Sequence, residues 1–369
     1  MDRTQRIERM PPSMGGSLLA FFWGSRQKPI GFAAVATIRQ NRAWFALLAI
    51  ALAAVLPGAA FAGTPYPAFG IEGNAAIRDQ GGRRIAVERP YRRIISLYGA
   101  HTENLFSLGL NAEIIGVGRN EVYPAEALDK RVFSYHDDPE RFLAARPDLV
   151  LIRPMIDRGY PALVDRLEQS GVAVVSLQPV NIEEMFLYWQ ILGLLTGKKS
   201  RAEEMIGTFQ AAAAACRSLF AEIAVKKGVF FESIHSKMKT FAPDSMAVFV
   251  LESAGGINVA ADAPRVRQTN IAAYGKERIL AKAGQIEVYL AQYGAMNRPS
   301  IEMIRNEPGF RVIKAIREDQ IYLIDEMIVS RPTMRLIDGI FEIGRNLYPD
   351  LFHPEAVNSL QGLKPFSRQ

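Results

Sequence analysis

One stretch constrains the rest of the chain more than any other: Ser200 to Gly228, SRAEEMIGTFQAAAAACRSLFAEIAVKKG. It reads as a single long helix with both ends marked. Ser200 and Glu203 have capping-box spacing, so each side chain can satisfy an orphan N–H of the first turn. Lys226, Lys227 and Gly228 supply a cationic last turn and a glycine stop. Ala202, Met205, Ile206, Phe209, Ala213, Cys216, Leu219, Phe220 and Ile223 recur at three- and four-residue steps and give one apolar face. At 1.5 Å per residue such a helix is roughly 40 Å long, enough to cross a whole domain. On either side the chain alternates short apolar strands with helices. The pattern predicts two α/β lobes joined by a rigid helical spine, with a ligand cleft between them.

The first lobe is expected over residues 63–181. After a Gly/Pro/Ala-rich arm, Ala76 to Val87 reads as a hairpin turning at Asp79-Gln80-Gly81-Gly82. Strands are predicted at 93–97, 114–117, 149–152 and 172–177, with helices at 101–108, 140–145 and 162–170. Strands that are apolar throughout and alternate with helices imply a parallel sheet covered on both faces. Linking helices, the spine among them, take residues 182–227. The second lobe, 228–369, repeats the scheme. Its strands are expected at 229–232, 287–291 and 320–324, and its helices at 245–253, 276–283, 301–306, 312–316 and 334–347.

The chain's beginning stands apart. Ala43 to Leu56 is a 14-residue apolar run, short for a bilayer span and suited to a signal-peptide h-region. Arg39 and Arg42 precede it, and Ala60-Phe61-Ala62 offers an A-x-A cleavage site, so a mature chain from Gly63 is expected. Residues 1–62 hold seven Lys/Arg against two Asp/Glu, so the net charge of +6 falls to near +1 without them. That leaves nothing basic enough for nucleic acid. The one cysteine, Cys216, lies on the apolar face of the spine and excludes an intrachain disulfide. No cysteine follows the h-region directly. A free, monomeric periplasmic protein is the expectation.

Ligands of parallel sheets sit at the carboxyl ends of the strands. The loops there supply the candidates: Tyr98 and His101, Arg119 and Tyr123, Tyr135 and His136, then Arg153 and Met155 in the first lobe. The second lobe supplies His235, Lys237, Lys239, Tyr293, Met296, Met327 and Arg331. Three of the four histidines fall in these loops. Imidazole is a common ligand of transition metals, so His101 and His235 are candidate metal ligands from opposite lobes. Guanidinium suits carboxylate groups.

Several stretches carry a family resemblance. They are Arg93-Ile94-Ile95-Ser96-Leu97, Thr102-Glu103, Leu108-Gly109-Leu110, Ile115-Gly116-Val117, Pro139-Glu140 with Arg146-Pro147-Asp148-Leu149-Val150, Ala254-Gly255-Gly256-Ile257-Asn258-Val259, and Arg331-Pro332 with Arg335. In this order, around a long central helix, they resemble the periplasmic binding proteins of ABC importers for ferric siderophores, haem and cobalamin. The resemblance implies two Rossmann-like lobes, a modest hinge motion, no cofactor and no catalysis. It implies that Arg331 faces the ligand and that Glu140 and Glu277 dock on arginines of a membrane permease. Glu277 matches less well, because Gly284-Gln285 stands where Pro-Asp is usual. The relatives that bind cobalamin place a tryptophan near Tyr135, which this chain lacks. The mix of Tyr, His and Arg points to an anionic iron chelate as the bound ligand. A haem, cobalamin or free-metal ligand on the same scaffold is the alternative. No HExxH, GxSxG or paired-carboxylate motif supports an enzyme.

Overall fold

The computed structural model describes residues 68–351. The expected leader and its cleavage site lie outside the described residues. Among those described, no helix is long and apolar enough to cross a membrane.

A small antiparallel sheet comes first, β1 (Gly70–Glu72), β2 (Ala76–Arg78) and β3 (Arg84–Ala86). Its β2–β3 turn is held by buried Asp79, whose Oδ1 accepts from the N–H of Gly81 and of Arg83. The first lobe's sheet follows: β4 (Ile94–Ser96), β5 (Ile114–Val117), β6 (Leu149–Ile152) and β7 (Ala173–Ser176). It is wholly parallel, in the order β5-β4-β6-β7. The chain leaves β4 toward one neighbour and later returns to the other, which opens a crevice beyond the carboxyl end of β4.

The second lobe contains β8 (Gly228–Ile234), β9 (Lys239–Phe241), β10 (Ile257–Asn258), β11 (Ile271–Ala273), β12 (Val288–Tyr293) and β13 (Ile321–Asp325). Its order is β11-β9-β8-β12-β13, with β10 beside β8. β10, β8, β12 and β13 run parallel as expected, and an antiparallel edge is added to them. β9 runs antiparallel to both β8 and β11, so the sheet is mixed. A three-residue turn, His235–Lys237, sends the chain straight back along β8 instead of through a crossover helix.

The spine is shorter than the sequence suggests. It runs Lys199–Ala221, 23 residues, about 35 Å. Ser200 is not its cap. The preceding helix, Ile182–Thr196, ends only two residues earlier, and the Lys198 N–H donates to Gly193 O at 2.7 Å, so backbone closes the gap. Gly228 is no helix stop either. It opens β8, and its N–H donates to Glu287 Oε2 at 3.0 Å.

The apolar strands are buried on both faces. In β6, Leu149 and Leu151 join one core while Val150 and Ile152 join another; in β8, Val229 and Phe231 separate from Phe230 in the same way. The two inner faces, the two linking helices and the closing helix Leu336–Leu347 share one continuous hydrophobic cluster. Each outer face has its own. Trp189 is fully buried in the shared cluster, and its Nε1 donates to Pro332 O at 3.2 Å.

Candidate functional site

A cleft of about 400 Å³ opens where the carboxyl ends of the two sheets face each other. From the first lobe it takes Tyr98 after β4, Arg119 and Glu121 after β5, Tyr135 and His136 before the helix Pro139–Ala144, Arg153 after β6 and Gln178 after β7. From the second lobe it takes Asn270 before β11, Gln292 and Met296 from the end of β12 and beyond, and Glu326, Ser330 and Arg331 after β13. Gln178 is fixed by the small sheet: its N–H donates to Gln80 Oε1 at 2.5 Å, and Gln80 Nε2 donates back to its carbonyl at 3.3 Å.

The first-lobe wall is aromatic and cationic. The Arg153 guanidinium lies 4.9 Å from the Tyr98 ring centre, a cation–π contact. Burial pushes the Tyr98 phenol above its ordinary value, with Arg153 and Arg331 opposing the shift. Tyr135, His136 and Tyr160 pack with ring centres 4.5–5.0 Å apart, and Tyr160 OH is 3.2 Å from His136 Nδ1. Arg119 is exposed, with Nη2 3.6 Å from Asp137 Oδ1.

The cleft floor is where the lobes exchange charge. Glu103, buried in the helix Gly99–Ser107, accepts two hydrogen bonds from Arg335, at 2.9 and 2.5 Å. Arg331 Nη1 is 3.5 Å from the same carboxylate. Asn104, one residue on, donates to Pro332 O at 2.8 Å. A side chain at Gly99 would collide with the Arg331 guanidinium, so glycine there leaves Arg331 its place. Burial pushes the Glu121 carboxyl up to about 7, against the pull of Arg331.

Of the residues expected at the site, Tyr98, Arg119, Tyr135, His136, Arg153 and Arg331 come together, and Met296 with them. Five others do not. His101 is fully buried behind the wall, with Nδ1 2.6 Å from Tyr188 OH and Nε2 donating to Ile152 O at 3.0 Å. Both ring nitrogens are committed, and burial lowers its pKa to about 4. His235 is carried away by the β8–β9 turn into a buried cluster. Its Nδ1 is 2.8 Å from Glu232 Oε2, which also accepts from Tyr289 OH at 2.5 Å. That hydrogen bond raises its pKa. Ligation by these histidines from opposite lobes is therefore corrected: neither lines the cleft. Tyr123 lies under the Arg335 guanidinium, 4.6 Å from its ring centre. Tyr293 ends β12 on an exposed face, and Met327 is the second residue of the short helix Glu326–Val329, its N–H held by Asp325 Oδ1. Met155 is exposed on the short helix Pro154–Gly159, Lys237 ends the β8–β9 turn and Lys239 opens β9; none of the three lines the cleft.

The sequence reading missed Glu121, Gln178, Asn270, Gln292, Glu326 and Ser330. Glu121 was within reach, two residues past Arg119 in the same strand-end loop. Gln292 is the fifth residue of β12, which runs two residues beyond its expected end. Asn270 precedes a strand that apolar periodicity did not reveal. Among the described residues no group of three or more His, Cys, Asp or Glu is arranged to hold a metal ion. Glu140 and Glu277 are both exposed in first turns of short helices. Glu140 accepts from Arg166 at 3.0 and 2.6 Å.

Comparison with known proteins bears on all of this. An uncharacterized ABC transporter substrate-binding lipoprotein of Bacillus subtilis, YvrC, is 24% identical over 281 residues, 75% of this chain and 86% of that protein. A vitamin B12-binding protein of Vibrio parahaemolyticus is 26% identical over 259 residues, covering 69% and 88%. The crystal structure of a possible iron-binding (periplasmic solute-binding) protein of Staphylococcus epidermidis superposes with a TM-score of 0.62 at 26% identity, covering 70% of this chain and all of that one. These are substrate-binding transport proteins rather than enzymes. The family model described as "Periplasmic binding protein" matches residues 94–327, from β4 to the short helix that follows β13, and the chain belongs to that family.

Proposed function

We propose that the protein captures a ferric siderophore in this cleft and delivers it to an inner-membrane ABC permease. The observation that carries the reading is the convergence of Arg119, Arg153 and Arg331 with Tyr98, Tyr135 and His136 in one cleft. Guanidinium groups match the anionic oxygens of iron chelators, and aromatic rings match their planar parts. With His101 and His235 engaged elsewhere, the iron arrives coordinated by its chelator, as cargo and not as a cofactor. A volume of about 400 Å³ lies low in the usual range for small-molecule sites. It favours a compact chelate over haem or cobalamin, the second reading on this scaffold. In this picture the lobes are residues 63–181 and 228–369, linked through 182–227, in a mature protein exported to the periplasm.

Glu140 and Glu277 serve as docking carboxylates, one per lobe. Arg166 already engages Glu140, but an exposed pair of this kind is worth only about 0–1 kcal/mol, so a permease arginine can replace it. Titration calorimetry with ferric tris-catecholate, ferric tris-hydroxamate, haem and cobalamin tests the cargo. Arg153→Ala and Arg331→Ala are each expected to weaken chelate binding about tenfold, the ~1.4 kcal/mol of one charge-assisted hydrogen bond. Glu140→Lys is expected to bind as the parent does and to lose uptake. Tight binding of haem or cobalamin with no response to ferric siderophores would replace the reading.

A further inference from the structure

Two groups at the cleft floor lack hydrogen-bond partners, and they come from opposite lobes. Arg331 Nη1 and Glu121 Oε2 are both buried without a hydrogen bond, and Nη1 meets Glu103 Oε1 only at ion-pair distance, 3.5 Å. Both lie against Gly99: a Cβ built there would be 3.4 Å from Glu121 Oε2 and would collide with Arg331 Nη1. They are neighbours across the lobe boundary without forming an ion pair.

The charges facing them can be counted. Arg331 and Arg335 supply two cations, and Glu103 answers both from the helix Gly99–Ser107. Glu121 is the second carboxylate. Tyr123 and Tyr98 are phenols with raised pKa values and stay neutral. Farther along the cleft, Arg153 covers Tyr98, Arg119 faces Asp137, and Glu326 accepts from the Ala295 N–H. With Glu121 ionised, two cations balance two anions. An incoming anion then adds uncompensated negative charge to a poorly solvated site, which is costly. With Glu121 protonated, the same cluster carries one excess positive charge, and the carboxyl becomes a hydrogen-bond donor.

We propose that Glu121 sets the charge selectivity of the cleft, taking up a proton as an anionic group of the ligand pairs with Arg331. Anionic chelates then bind with proton uptake and neutral chelates without it. The proposal rests on the cleft being a chelate site. It also fits a carboxyl that burial already holds at about 7 in the free protein.

Calorimetry in two buffers of different ionisation enthalpy reads the protons taken up. Ferric tris-catecholate serves as the anionic probe and ferric tris-hydroxamate as the neutral one. At pH 8.5 the parent is expected to take up close to one proton with the catecholate, and its affinity to fall about tenfold per pH unit above pH 7. The hydroxamate should show neither effect. Glu121→Gln, which keeps the side chain's shape, should take up no proton, show no pH dependence and bind the catecholate more tightly than the parent at pH 8.5. No uptake by the parent, or the parent's uptake retained in Glu121→Gln, overturns the proposal. Should neither chelate bind, the cargo reading fails on its own. A carboxyl ¹³C NMR titration of the ligand-free parent, with citrate added as a bare anion, then decides Glu121 separately. A resonance titrating near 7 and moved upward by citrate supports the role; one in the ordinary carboxylate range overturns it.

Discussion

His101 shows what one residue contributes when its chemistry is turned inward. From sequence it is an imidazole at a helix N-terminus beside a strand end, which is where a ligand belongs. The fold instead makes it a buried joint between the helix Gly99–Ser107, β6 and Tyr188. Because Nε2 donates to a carbonyl, Nδ1 is the acceptor for the Tyr188 hydroxyl, and the ring is neutral. Its pKa is lowered to about 4, below the unfolded value of roughly 6.5. The unfolded chain therefore gains a proton before the folded protein does. Stability from this group is fully present above pH 6.5 and is lost as pH falls from there to about 4. The parent is expected to lose roughly 3 kcal/mol between pH 7 and pH 4 from this residue. Urea unfolding of the parent and of His101→Gln at both pH values checks it. Equal pH dependence in the two proteins would remove His101 from the account. Sequence could not tell this histidine from a ligand. The difference lies in Tyr188, 87 residues away in sequence, and long-range contacts of that kind leave no local pattern.

At the scale of elements, more was legible. Ile114 to Val117 and Leu149 to Ile152 fall on their strands residue for residue, because apolar runs buried on both faces leave few alternatives. The antiparallel β9 and β11 were not found: three residues each, at one edge of the sheet, give periodicity too little to work on. The spine was found as an element but misplaced at both ends, because its capping residues compete with tertiary contacts. Lys227 N–H donates to Tyr348 OH at 3.0 Å, which draws residues before β8 out of the helix. The two linking helices cross closely at Gly193, where an added Cβ would lie 2.8 Å from Ala202 Cβ and 3.1 Å from Lys198 O. Intrinsic helix propensity favours Gly193→Ala by about 1 kcal/mol, whereas overpacking costs typically 1–3. Backbone on one side and a buried helix on the other leave little room to relax, so overpacking wins. Gly193→Ala is expected to destabilise by roughly 1 kcal/mol in urea unfolding. A stabilised variant would mean that the linking helices can slide apart.

For the whole molecule, the question is how far the lobes can move. A freely hinged pair would have two separate cores and a solvated seam. Here one hydrophobic cluster runs from the inner face of the first sheet through both linking helices to the inner face of the second. The seam is also pinned beside the cleft by Glu103 with Arg335 and Arg331, and by Pro332 O, which accepts from both Asn104 and Trp189. Moving the lobes by a large angle would expose apolar surface and strand a buried carboxylate. Both are expensive, so only small adjustments of the cleft mouth remain cheap. Spin labels on exposed Asp129 and Asp319, one in each lobe, are expected to report a change of only a few ångströms when ligand binds. Removing one partner of the pin leaves buried charge unanswered, so Glu103→Ala should cost about 3–5 kcal/mol and broaden the label distances. Replacing the salt-bridged pair with apolar residues, Glu103→Met with Arg335→Met, should recover much of that loss while the distances stay broad. That outcome would assign the ion pair to fixing lobe orientation and the shared core to stability. If Glu103→Ala left stability and distances as in the parent, the apolar cluster alone would set the lobe geometry. If the double variant restored narrow distances, lobe orientation would depend on packing and not on charge.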